Sequence, residues 1–108
     1  MAEVVVSATF KRRYKQLAKR YRSLQQDVLE LIASLEEDPV QGTPLGKDCY
    51  KIRLAIRSKG AGKSGGARVI TYARLLKGKV YLLTIYDKSE QASLTQKELL
   101  ELLGGIGG

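Results

Sequence analysis

Between residues 50 and 57 apolar and charged positions alternate: Tyr50, Ile52, Leu54 and Ile56 fall in one row, Lys51, Arg53 and Arg57 in the other, with Ala55 the uncharged member of the second. A strand turns successive side chains to opposite faces, so this run predicts a strand with one buried face and one cationic face. Side chains two apart on a face lie roughly 7 Å from each other, close to the phosphate spacing of an extended nucleic-acid strand. A second strand-like run covers residues 68–75, and a Gly/Ser/Lys loop joins the two. Lys77-Gly78-Lys79 then turns into VYLLTIY, residues 80–86, which is apolar enough for a central strand covered on both sides. Short connections make these three strands an antiparallel meander. Residues 3–7, EVVVS, read as a short β-branched strand added at one side.

The period changes at Thr9. Phe10, Tyr14, Leu17, Ala18 and Tyr21 recur at helical spacing, and Lys11, Arg12, Arg13, Lys15, Lys19, Arg20 and Arg22 fill the remainder as a second basic surface, by default a solvated one. Ser23 followed by Gln26 has the capping-box form and predicts the start of a second helix, with Leu24, Val28, Leu31, Ile32 and Leu35 as its apolar stripe and Pro39 as its end. Two such helices, tightly joined, form a hairpin laid on one face of the sheet. Residues 40–47, with Gly42, Pro44 and Gly46, read as a loop. Thr95 and Glu98 form a second capping box, stapled by Leu94 and Leu99, for a helix running to about Leu103. Gly104 and Gly105 stop it, and residues 104–108 are expected to be a flexible tail. The expected fold is α+β, ordered β-α-α-β-β-β-α: one domain over residues 1–108, an antiparallel sheet with an N-terminal helical hairpin on one face and a C-terminal helix.

Charge changes the picture more than size does. The 108 residues carry a net charge of +8, and residues 51–79 hold nine Lys or Arg and no acid. Such a balance speaks of partners: nucleic acid, an anionic membrane surface or an acidic protein. The alternating strand favours RNA on its cationic face. No apolar run approaches the roughly 18 residues of a membrane span, and no export signal is visible, so no membrane role is expected and the cytoplasm is the default. A lone cysteine, Cys49, fits a reducing compartment. With no histidine and one cysteine, a zinc site is not expected, nor is any cofactor. GAGKSGG, residues 60–66, resembles a phosphate-binding P-loop, but the position that needs the first glycine is Arg57, and a β-rich run follows where a helix is required. It reads better as a cationic hairpin tip. Arg57, Lys59 and Lys63 are then candidate RNA-backbone contacts, or solubilising charges. Tyr72 and Tyr86 are cross-strand aromatics, or stacking platforms for RNA bases.

DCYKIRL (residues 48–54), IRLAIRSKGAGKSGGARVITY (52–72) and YLLTIYDKSE (81–90), followed by a Thr-led helix, resemble the RelE/ParE superfamily of bacterial toxins, and within it the HigB-type branch. The similarity spans about residues 10–103. It implies a ribosome-dependent endoribonuclease that cleaves mRNA by attack of the RNA 2′-hydroxyl on the adjacent phosphate. The partners it implies are mRNA on the ribosome, ribosomal RNA and a cognate antitoxin, often a helix-turn-helix protein. Lys51 and Arg53 match the two basic positions of the family's catalytic strand, Arg68 its phosphate-binding arginine, and Lys88 a basic segment after the last strand. A further arginine and a tyrosine expected downstream are missing from SEQASLT, residues 89–95. That leaves open which group protonates the leaving 5′-oxygen; Tyr86 and Asp87 lie nearby. Two alternatives remain: a ParE-like gyrase inhibitor, and a non-catalytic basic RNA-binding module.

On chemical grounds Arg68, with its planar fork, suits a phosphate clamp. An ordinary lysine is a poor base at neutral pH. Crowding by Arg53 and Arg57 is expected to favour the neutral amine of Lys51 and make it the candidate base.

Overall fold

A computed structural model of the chain describes residues 1–106. The elements run β1 (Glu3–Val6), α1 (Ala8–Ala18), α2 (Leu24–Glu37), β2 (Thr43–Gly46), β3 (Cys49–Leu54), β4 (Ala67–Arg74), β5 (Lys79–Asp87) and α3 (Gln96–Gly104), with 3₁₀ turns at Arg57–Lys59 and Leu75–Lys77. The strands form one sheet in the order β1-β5-β4-β3-β2. β3, β4 and β5 are the expected antiparallel meander.

Two features of the sheet differ from expectation. β1 runs parallel to β5, so the sheet is mixed rather than antiparallel. The chain leaves β1 through the helical hairpin and returns to the sheet at its far side, which leaves the edge of β5 for β1. Residues 43–46, expected as loop, are an edge strand paired with β3. Pro44 fits there because an edge strand has one row of amides that need no partner. Lys47 and Asp48 turn the chain with φ of 55° and 61°, and Gly42 passes so close to β3 that a Cβ would lie 2.3 Å from the Lys51 carbonyl oxygen.

The helical hairpin packs on one face of the sheet. Phe10, Leu17, Leu24, Val28, Leu31 and Leu35 meet Ile52, Val69, Leu82 and Ile85 in the main core. α1 ends at Ala18, so Lys19, Arg20 and Arg22, which the sequence pattern assigned to it, lie in the link to α2. α2 starts where expected, but Ser23 does not cap it. The Ser23 hydroxyl instead donates to Asp27 at 2.7 Å. The Thr95–Glu98 box is present in both directions, each bond 3.1 Å. α3 lies on the opposite face, where Leu99 joins Cys49, Ile70, Leu83 and Tyr86, and Tyr72, Tyr81 and Ile106 pack around them. Of the tail expected at 104–108, Gly104 belongs to α3 and Ile106 to this second cluster; Gly107 and Gly108 lie outside the described residues. Among the described residues no helix is long and apolar enough to cross a membrane.

Candidate nucleic-acid interface

The strand register assembles the basic side chains. Arg53 lies opposite Arg68, and Arg68 opposite Tyr86, while Lys51 lies opposite Ile70 in the next row. Opposed residues share a face, so Lys51, Arg53, Arg68 and Tyr86 rise from one side of the sheet, the side α3 packs on and the helical hairpin does not. Lys88 follows just past β5. Its amide bonds the Gly66 carbonyl at 3.0 Å, and its ammonium donates to the Ala92 carbonyl at 3.2 Å.

Arg68 is the unusual member. It is only 6% exposed. Its Nη1 donates to the carbonyls of Lys63 (3.0 Å) and Ala67 (3.2 Å), and its Nη2 to that of Ser64 (3.1 Å). No carboxylate among the described residues pairs with it. Buried charges are ordinarily paired, so this one is hydrogen-bonded yet not neutralised, with Arg53 directly across from it. Three of the five guanidinium N–H groups are engaged in these bonds. The loop it holds is pressed against the end of β3: a Cβ on Gly66 would lie 2.1 Å from the Leu54 carbonyl oxygen, so only glycine fits.

The other basic residues part company. Arg57 leaves the strand, forms the start of the 3₁₀ turn and pairs with Glu30 of α2 through both Nη atoms, Nη1 at 2.8 Å. Of the two cations expected to crowd Lys51, only Arg53 lies beside it on the strand. Lys59 donates to Asp87 at 2.8 Å and sits over the Tyr21 ring. Both are thus engaged by carboxylates, Arg57 at the surface and Lys59 drawn inward. Lys63 is exposed on the loop. Tyr72 stacks one ring face on Tyr81, ring centroids 5.7 Å apart, and Tyr86 is buried in the cluster under α3. Among the described residues no three of Cys, Asp and Glu converge as a cation site.

A family model for the RelE toxin of the RelE/RelB toxin–antitoxin system matches residues 7–103. The chain belongs to the RelE toxin family.

For a RelE-family toxin the two nearby proton carriers can now be separated. Burial works to raise the pKa of Asp87, but bonds from Lys59, Tyr21 and Ser89 outweigh it and hold the carboxyl well below the usual range. It is an anion bound among donors, not a proton source. Tyr86 stands on the cationic face opposite Arg68. Burial pushes its pKa up, against the opposing effect of Arg68 and with help from Glu98, so it keeps its proton at neutral pH. Its hydroxyl has no hydrogen-bond partner among the described residues.

Sequence reasoning missed what the two buried carboxylates do. Asp27 accepts from the Arg57 amide at 3.2 Å and from Ser23, and Asp87 gathers Lys59, Tyr21 and Ser89. The one available signal was an aspartate closing an otherwise apolar central strand, followed two residues later by a serine whose amide it accepts at 2.9 Å.

Proposed function

We propose that this RelE-family toxin is an mRNA interferase of the HigB type that cuts mRNA on the ribosome. The observation that carries the reading is Arg68: a buried, un-neutralised guanidinium with Arg53 across from it and Lys51 on the same face. In the reaction the 2′-oxygen attacks the neighbouring phosphorus as it gives up its proton, the P–O5′ bond breaks, and the 5′-oxygen gains a proton. The products are a 2′,3′-cyclic phosphate and a free 5′-hydroxyl. Arg68 and Arg53 stabilise the charge that builds on the phosphoryl oxygens, commonly the largest contribution to such catalysis. Lys51 is the candidate base, Lys88 a further cation at the rim, and Tyr86 the candidate acid. Lys63 supplies a backbone contact from the loop. The remaining partners on this reading are ribosomal RNA and a cognate antitoxin, with the cytoplasm as the place of action.

Primer extension on an mRNA incubated with ribosomes and the purified chain tests this. New 5′ ends that require ribosomes and vanish in Arg68→Ala are expected. Binding without scission would leave a passive RNA-binding module, and toxicity through loss of gyrase activity would move the chain to the ParE-like branch.

A further inference from the structure

Asp87 lies at the meeting point of three chain segments. Its side chain is fully buried. Oδ1 accepts from Lys59 Nζ at 2.8 Å, from the Ser89 amide at 2.9 Å and from the Ser89 hydroxyl at 2.8 Å. Oδ2 accepts from the Tyr21 hydroxyl, with the Arg20 guanidinium 3.8 Å away. The link between the helices, the root of the cationic loop and the end of β5 are thereby joined at one carboxylate. Lys59 belongs to the 3₁₀ turn Arg57–Lys59, and the other end of that turn is held by Asp27, itself only 2% exposed. From there the chain runs to Lys63 and Ser64, whose carbonyls Arg68 grips. The residue after Asp87 holds the Gly66 carbonyl.

We propose that Asp87 is a positioning residue for the cationic face, fixing the loop root beside Arg68 and withholding the Lys59 ammonium from RNA. A buried carboxylate needs its cation, so Lys59, on a loop otherwise open to solvent, is drawn inward and its side chain left only 19% exposed. Lys63, four residues on, stays outside. Two lysines of one loop thus do different work. The withholding stands on geometry alone; the positioning effect on cleavage rests on the nuclease reading above.

The test measures the affinity of the purified chain for a short single-stranded RNA across a range of salt, beside the cleavage rate on programmed ribosomes. Each phosphate contact on a single strand contributes about 0.7 to the slope of log affinity against log salt. Lys63→Met is expected to flatten the slope by about that amount and Lys59→Met to leave it unchanged. Asp87→Asn, which keeps the shape and removes the charge, is expected to steepen it by about 0.7 as Lys59 is released, an increment that Lys59→Met removes in the double variant. In cleavage, Asp87→Asn is expected to lower kcat about tenfold at unchanged KM, the mark of lost positioning. A slope flattened by Lys59→Met alone, or unmoved by Asp87→Asn, overturns the withholding; an unchanged kcat overturns the positioning. Should Asp87→Asn fail to fold, the contrast between Lys59→Met and Lys63→Met decides. A wild-type chain that binds RNA but never cuts it sinks the nuclease reading and leaves the salt slopes to judge Lys59.

Discussion

Two halves of one sheet face follow the same alternation and end in opposite environments. In one half Cys49, Ile70 and Leu83 are sealed beneath Leu99 of α3. In the other, Arg53 is open to solvent, Lys51 is half-buried, and Arg68 is buried with its guanidinium held by the carbonyls of its own loop. The strands are shared, so the difference lies in what covers them. An apolar patch gains from cover, while a lysine or arginine taken from water without a partner is penalised. The chain therefore places its C-terminal helix over the apolar half and leaves the basic half without it.

The comparison can be broken at either half. Leu99→Ala should cost about 2–5 kcal/mol of stability in denaturant unfolding, as expected for a truncated core leucine, while the still-folded protein binds RNA as before. A loss of RNA affinity in the folded state would show that the halves are not independent. Arg68→Ala should reduce ribosome-dependent cleavage about 10²–10³-fold, the range for removing one charge-stabilising donor, with a smaller effect on stability. If its unfolding free energy fell as far as that of Leu99→Ala, the arginine would belong to the architecture rather than to the site.

The next effect depends on pH. Because the Asp87 carboxyl is held below its ordinary range in the folded protein, the unfolded chain takes up that proton first. The stabilisation is complete above the unfolded value of about 3.9 and fades as pH falls from there toward the folded value. Asp87→Asn should flatten the acid limb of the stability curve below about pH 4 and leave its shape near neutrality unaltered. A wild-type acid limb retained in the variant would remove Asp87 from the account. The smallest effect is expected at Lys51: Lys51→Ala should leave stability within about 0.5 kcal/mol while flattening the salt slope of RNA binding by about 0.7. A large stability loss there would place Lys51 in the covered half.

Much of the face is legible in the sequence. The alternation from Tyr50 to Leu54 named the cations, and the meander placed Arg68 near them, because antiparallel pairing of adjacent runs leaves little choice of neighbour. The Thr95 cap was legible because it is local, carried by four consecutive residues. Ser23 has the same local form, yet its hydroxyl turns to Asp27 once Ser58 and Arg57 arrive from a distant loop. Arg57 continued the alternation by sequence but left the strand, since the chain bends into a 3₁₀ turn and offers it Glu30. Residues 43–46 looked like loop because proline and glycine suppress the strand pattern, and an edge strand tolerates both.

By itself the sequence determined the period of the three central strands and the helices, the Thr95 cap and the pairing of Lys51 with Arg53 in one row, all set by contacts within a few residues. Only the tertiary structure decided which cations face outward and which are bound to Glu30 and Asp87, that β1 runs parallel, and that α3 shares the basic face. Those outcomes depend on carboxylates and helices from remote parts of the chain, and spacing along the sequence does not carry distance in space.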